Sequence, residues 1–152
     1  MPQSLSRVLV HLVFSTKNRE PWLCAEVLAP THAYLAGVLR EIGCPPLRVG
    51  GVADHVHLLF GLSRTRTIAQ VTECVKTSSS KWIKAHPCGK VCDRFHWQSG
   101  YGAFSVSESD SARVVAYIEN QHEHHRAMTF QDEYRTLLER YGIAYDEQYV
   151  WD

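Results

Sequence analysis

The sequence predicts an α+β fold of the split βαβ, ferredoxin-like plan, formed by a single domain that covers residues 1–152. The first observation is the order of the predicted elements, β-α-β-β-α-β, with appended C-terminal helices. The second is a short turn between two adjacent strands, which is typical of an antiparallel hairpin. The third is a length of 152 residues with a hydrophobic content of 45%, which suits one globular core. In this plan the first and third strands form the centre of an antiparallel sheet.

The chain begins with a predicted strand and a predicted helix. Residues 7–16 are apolar and rich in β-branched side chains, which indicates a strand covered on at least one face. Residues 22–42 carry apolar side chains at helical spacing, and Pro30 predicts a break or a late start of this helix. Gly43 is a plausible end of the helix.

A β-hairpin is predicted next. Residues 47–52 and 55–62 form its two strands, and Ala53 and Asp54 form the turn between them. Because Gly50 and Gly51 lie before this turn rather than within it, a bulge at this point is expected.

The rest of the chain contains a helix, a fourth strand and two further helices. Gly100 and Gly102 inside the fourth strand indicate a bulge or the close approach of another backbone or a ligand. The tail, residues 143–152, is aromatic and acidic, and we expect it to dock on the body of the protein or on a second subunit. The predicted bounds are helix 65–86, loop 87–94, strand 95–106, helix 112–128 and helix 129–141.

Charge and cysteine content narrow the class of protein. The chain has 16 basic and 16 acidic residues and a formal net charge of +0, so it has no global attraction to nucleic acid or membrane. Any nucleic-acid surface would have to be a local basic patch, which the nine histidines could make more positive as the pH falls. The five cysteines, without a secretory signal or a long apolar run, predict a reduced cytoplasmic protein with no membrane span.

Two of the cysteines raise the alternative of a zinc site. Cys88 and Cys92 are separated by three residues and flanked by His86 and His96. The spacing does not match the common structural zinc patterns, so this interpretation is disfavoured.

The central feature of the sequence is the pair His55 and His57 on the third predicted strand. Because strand side chains alternate between faces, both imidazoles project from the same face of the sheet. Held there, they could bind a divalent cation together with a third ligand. Taken alone, the motif is more often a pair of surface or structural histidines. His11 on the first strand could share this face, and Asp54 could either support the site or serve only the turn.

A second feature lies on the predicted helix 112–128. Tyr117 and Gln121 are four residues apart and therefore lie on one helix face, and His124 and His125 follow about one turn later. The alternative interpretation of Tyr117 is a structural one, in which its ring is a half-buried aromatic side chain of the helix.

Four stretches of the chain form a recognisable pattern. They are His11 to Lys17, Asp54 to Leu59, Trp97 to Ser107 and Tyr117 to His122. Together they resemble the IS200/IS605-like family of single-tyrosine transposases, which belong to the HUH nucleases. The C-terminal length and the His124-His125 pair are also similar to the relatives associated with repetitive extragenic palindromes (REP).

The resemblance implies an RRM-like, ferredoxin-like fold, a homodimer and metal-dependent cleavage and rejoining of single-stranded DNA that carries hairpins. It implies that Tyr117 is the nucleophile and that His55, His57 and Gln121 hold Mg²⁺ or Mn²⁺. A free phenol with a pKa near 10 is a weak nucleophile, so a bound metal would polarise the scissile phosphate and offset the developing charge. In this family the histidines of one subunit often work with the tyrosine helix of the other.

Three hypotheses follow from these residues. The leading one is a DNA strand transferase that forms a 5′-phosphotyrosine. The alternative is a non-catalytic module, derived from such a transposase, that binds single-stranded DNA hairpins. A metal-dependent hydrolase of small phosphoesters is a third, although the chain has no Gly-rich phosphate loop.

Overall fold

A four-stranded antiparallel sheet forms the centre of the molecule. The computed structural model describes residues 2–86 and 93–152. The strands are β1 (Leu9–Ser15), β2 (Pro46–Val52), β3 (His55–Gly61) and β4 (Gly102–Val106). Their order across the sheet is β2-β3-β1-β4, so the first and third strands are central, which confirms the predicted ferredoxin-like α+β plan.

Helices cover the sheet on both faces. They are α1 (Ala25–Glu41), α2 (Ile68–Ala85), α3 (Ser111–Glu119), α4 (Gln121–His124) and α5 (Phe130–Arg140). The longer helices α1 and α2 pack on the face formed by Val10, Leu12 and Phe14 of β1, where they build the largest apolar cluster. The C-terminal helices cover the opposite face in two smaller clusters. Burial on both faces explains why the sequences of β1 and β3 are continuously apolar over most of their length.

The predicted break at Pro30 is wrong, because α1 is continuous through this residue. Pro30 lies on the exposed side of α1. Water can therefore satisfy the carbonyl that lacks its helical partner, and the pyrrolidine ring points away from the core.

The predicted hairpin is present, and its turn is Ala53-Asp54. The irregularity in its register lies between Pro46 and Arg48, at the start of β2, and the bulge expected at Gly50 and Gly51 is therefore misplaced. Proline has no N–H to donate to the ladder, which favours an irregular strand start.

The fourth strand is shorter than predicted. Residues 95–101 are not part of β4, and a single bridge joins Trp97 to Thr16. The expected close approach of another backbone occurs at Gly100, where a Cβ would lie 3.1 Å from the Asp152 carbonyl oxygen. At Gly102 the neighbour is a side chain, since a Cβ there would lie 2.8 Å from Cε2 of Tyr134 on α5. The missing side chain lets α5 lie directly against the sheet.

The predicted helix 112–128 is divided at Asn120 into α3 and α4. The next helix, α5, begins after Thr129, whose hydroxyl accepts a hydrogen bond from the Asp132 backbone N–H, and ends just before Gly142. After the division, His124 and His125 lie beside Glu133 of α5, whereas His122 is exposed.

The C-terminal tail docks on the body of the same chain. The Lys17 Nζ atom lies 2.5 Å from the Asp152 carboxylate, and the Gly100 N–H donates to the Asp152 carbonyl at 2.8 Å. Trp151 packs against Tyr134 of α5. Cys88 and Cys92 lie outside the described residues. Across the parts that are described, every helix is too short or too polar to span a membrane.

Candidate active site

The two histidines of β3 lie on the central strand and face the C-terminal helices. His55 and His57 are both 0% exposed, so the interpretation as solvated surface histidines is wrong. His11 of β1 projects on the same face, and its Nε2 lies 2.8 Å from Nδ1 of His57. The alternation of strand side chains therefore places three imidazoles together under a helical layer.

The Tyr117 helix reaches this face by packing on the edge strand β2. A Cβ at Gly50 would lie 2.7 Å from the Ile118 side chain, so glycine at this position permits the close approach of α3. The Gln121 Oε1 atom lies 3.0 Å from Nε2 of His55. The Tyr117 ring lies 5.7 Å from the His57 ring between centroids. All four predicted site residues thus meet within one chain.

A fifth residue, Glu133 of α5, lies at the centre of the cluster and was not predicted from the sequence. Its side chain is 2% exposed, and the carboxylate contacts six polar side chains. Its Oε1 atom lies 3.2 Å from Nε2 of His55, 3.2 Å from Nε2 of His57 and 3.1 Å from Nε2 of His125.

The second oxygen of Glu133 faces the tyrosine helix. Oε2 accepts hydrogen bonds from the Tyr117 hydroxyl and, at 3.1 Å, from the Gln121 amide. The His124 Nε2 atom lies 3.3 Å from the same oxygen, but it is buried without a hydrogen bond of good geometry. One carboxylate therefore links the histidine pair to the tyrosine.

The sequence did contain a signal for Glu133. It lies three residues after Phe130 and four before Leu137, both of which are buried on the apolar face of α5. A carboxylate on the buried stripe of an amphipathic helix costs free energy unless it is paired, and such residues are candidates for a site.

The electrostatics of the cluster follow from burial and from these contacts. Burial opposes the charge on Glu133, but hydrogen bonds with His125, His55 and His57 outweigh it and hold the carboxyl pKa well below its usual range. Burial by itself would lower the pKa of His55, but the hydrogen bonds to Asp54 and Glu133 outweigh it and raise this pKa to about 9. Burial and the Glu133 charge raise the pKa of the Tyr117 phenol. The tyrosine is therefore held protonated in this arrangement.

The outer partners of the histidines determine which ring nitrogen carries the proton. The Asp54 Oδ1 atom lies 2.7 Å from Nδ1 of His55, so Asp54 supports the site as well as the turn. His11 is kept neutral because burial lowers its pKa to about 3, and its Nε2 can accept a hydrogen bond from the Nδ1–H group of His57. With each Nδ1 proton held in this way, the Nε2 atoms of His55 and His57, which face Glu133, are the nitrogens that a cation would bind in place of a proton.

The donor set fits a divalent cation. One ligand atom from each of His55, His57 and Glu133 lies within 4.8 Å of the others, and all three residues are buried. The Gln121 carbonyl oxygen is adjacent to them. Two imidazoles with carboxylate and amide oxygens form a ligand set typical of Mn²⁺ and related ions.

An open cavity of about 500 Å³ adjoins the site on the side of Tyr117. Its wall includes Tyr117 and Glu133, with Arg113 and Arg140 as the basic side chains. A cavity of this size with cationic residues beside a tyrosine could admit a nucleotide and its phosphate.

Three side chains of the types that commonly contact DNA by stacking or charge have partners within the protein. Trp97 is buried, and its indole N–H donates to the Ser79 hydroxyl at 2.9 Å, so packing is its role. The Lys76 ammonium donates to the backbone carbonyls of Gln98 and Gly100 at 2.8 and 2.7 Å. Lys17 is paired with Asp152.

Comparison with known proteins identifies the family. The sequence model of the family described as transposase IS200-like matches residues 4–121. The ISDra2 transposase TnpA of Deinococcus radiodurans is 28% identical over 116 residues, which cover 74% of this chain and 83% of that protein.

Two solved structures share the fold. A crystal structure of a Deinococcus radiodurans protein described as a transposase has a TM-score of 0.60 at 24% identity, covering 80% of this chain and 95% of that one. The structure of the REP-associated tyrosine transposase bound to a REP hairpin has a TM-score of 0.59 at 14% identity, covering 82% of this chain and 72% of that one. With the family match extending over most of its length, the chain belongs to the IS200-like transposase family.

Proposed function

We propose that this protein cleaves and rejoins single-stranded DNA by transesterification through Tyr117. The phenol oxygen forms a bond to phosphorus, the bond from phosphorus to the 3′ oxygen breaks, and the 3′ end leaves as a hydroxyl. The 5′ end remains on the protein as a phosphotyrosine, which conserves the phosphodiester energy for rejoining without ATP. The observation that carries the proposal is the convergence of Tyr117, Gln121, His55 and His57 around one buried centre.

The site would hold Mg²⁺ or Mn²⁺ between His55, His57 and Gln121. A divalent cation there supplies Lewis-acid polarisation of the scissile phosphate. Tyr117 needs this assistance, because burial and the adjacent Glu133 carboxylate both oppose its phenolate. Arg140, in the wall of the cavity beside Tyr117, is placed to attract the phosphate backbone.

The proposed substrate is single-stranded DNA that carries hairpins. The family membership supports this substrate class, and the REP-associated relative of similar fold is described as bound to a REP hairpin. The proposed assembly is a homodimer, which rests on the family resemblance.

The test uses labelled single-stranded hairpin oligonucleotides from the flanks of the gene that encodes this protein, incubated with Mg²⁺ or Mn²⁺ and analysed by denaturing electrophoresis. We expect a metal-dependent band of protein that carries the label, lost in Tyr117→Phe. Tyr149→Phe is the matched control, since Tyr149 is 65% exposed in the tail and its loss of a hydroxyl should leave the band unchanged. Undiminished labelling of Tyr117→Phe would remove Tyr117 from the mechanism.

The second candidate is a hairpin-binding module without chemistry. It would give a mobility shift on native gels that survives chelation, with no covalent band. The joint presence of the two histidines, the tyrosine and the glutamine favours the enzyme. A hydrolase of small phosphoesters would release product without any protein-linked DNA.

A further inference from the structure

We infer that Glu133 is a metal ligand, so that the cation site of this protein is a two-histidine, one-carboxylate set completed by the C-terminal helix α5. This inference extends the proposed function, because it adds a ligand beyond His55, His57 and Gln121. Glu133 also lies outside residues 4–121, the part of the chain that matches the family.

The first argument is the position of the carboxylate. Oε1 of Glu133 is 3.2 Å from Nε2 of His55 and 3.2 Å from Nε2 of His57. These are the two nitrogen atoms left to bind a cation when the Nδ1–H groups of His55 and His57 donate hydrogen bonds to Asp54 and His11. Because these three side chains are already in contact, small movements of them would let all three atoms bind one cation.

The second argument is the cost of burying a carboxylate. Glu133 is 2% exposed on a helix packed against the sheet, so its charge needs compensation from cations within the protein. The four histidines around it supply this compensation only when they are protonated or donate hydrogen bonds. A divalent cation compensates the same charge directly and leaves the imidazoles neutral.

The third argument is that the two carboxylate oxygens of Glu133 contact different groups. Oε1 faces the histidine pair, whereas Oε2 accepts the hydrogen bond from the Tyr117 hydroxyl. Once a cation neutralises the carboxylate, the repulsion that opposes the Tyr117 phenolate weakens. Glu133 would therefore hold the nucleophile through one oxygen and the cation through the other.

The ligand chemistry also predicts which cation the site prefers. Imidazole nitrogen binds Mn²⁺ and later transition ions better than Mg²⁺, which prefers an all-oxygen octahedral shell. We expect Mn²⁺ to bind at least about tenfold more tightly than Mg²⁺. Equal affinity for the two ions would contradict a site built from His55, His57 and Glu133.

The experiment is titration of the full, chelator-treated protein with MnCl₂ by calorimetry, with the Mn²⁺ electron paramagnetic resonance signal as a second readout. Glu133→Gln keeps the shape of the side chain, and we expect at least about a tenfold loss of Mn²⁺ affinity. Glu139→Gln is the matched control, because Glu139 is exposed on the same helix and should bind Mn²⁺ like the wild type. Glu133→Asp, which retains the charge on a shorter stem, should bind with intermediate affinity.

Circular dichroism checks that the variants are folded before titration. If Glu133→Gln is not folded, the Mn²⁺ affinity of Glu133→Asp tests the ligand role instead. Wild-type affinity for Mn²⁺ in the folded variants would overturn the ligand role of Glu133. This outcome is separate from the test of the proposed function. A wild-type protein that binds Mn²⁺ through Glu133 but forms no covalent DNA adduct would refute the nuclease proposal and leave the ligand assignment intact.

Discussion

Replacing Gly102 by alanine should loosen the helix that carries Glu133. Gly102 lies in β4, opposite Val13 of β1, and its backbone faces the aromatic cluster under α5. An added Cβ would lie 2.8 Å from Cε2 and 2.9 Å from Oη of Tyr134, and 3.1 Å from Cζ of Phe104. These separations are shorter than ordinary van der Waals contact, so the rings or the α5 backbone must move.

The cost can be estimated from the packing. Overpacking a well-filled core by one methyl group costs about 1–3 kcal/mol. At about 2–4 °C per kcal/mol for a chain of this length, a loss of about 2 kcal/mol lowers the Tm by roughly 4–8 °C. Because Tyr134 is adjacent to Glu133 in α5, the same displacement should weaken Mn²⁺ binding.

Urea denaturation and thermal unfolding of Gly102→Ala, with the Mn²⁺ titration repeated on the folded variant, measure both effects. Gly37→Ala is the control, because no atom lies within 4 Å of a Cβ at this position in α1. Alanine at position 37 should stabilise the helix by about 0.5–1 kcal/mol. If Gly102→Ala were as stable as the wild type while Gly37→Ala showed its gain, the packing of α5 against β4 would be looser than we describe.

Two further predictions concern buried polar groups. Ser79→Ala leaves the buried indole N–H of Trp97 without its acceptor, and should lower the free energy of unfolding, measured in urea, by about 1–3 kcal/mol. Ser80→Ala is the control and should not lower it. Equal stability of the two variants would contradict the role of the Ser79 hydroxyl. The metal-free protein in EDTA should lose stability as the pH rises from 6.5 through about 9, because the folded-state pKa of His55 is raised above its unfolded value and its proton stabilises the fold only at lower pH. The loss should be on the order of 3 kcal/mol. It should appear as a falling Tm and be smaller in Glu133→Gln, where the hydrogen bond to Asp54 still raises the His55 pKa. A Tm that stays constant across this range would contradict the prediction.

Much of the fold and the outline of the site could be predicted from sequence because they depend on local periodicity. The period of two places His55 and His57 on the same face, and the spacing of four residues places Tyr117 and Gln121 together. The first pattern belongs to a single strand, whereas the second crosses the boundary between α3 and α4. The division at Asn120 lies between Tyr117 and Gln121, yet both side chains still contact the same carboxylate.

Only the tertiary structure decided what the site contains beyond this outline. Glu133 is 76 residues from His57 and meets it only because α5 packs across the face of the sheet. Gly102 permits that packing by omitting a side chain, which no local pattern relates to the histidine pair. Burial then shifts the pKa values of His55 and Tyr117 in ways that depend on neighbours from other elements. The sequence by itself determined which side chains share a face, whereas long-range packing determined which faces meet and how far their charges are removed from water.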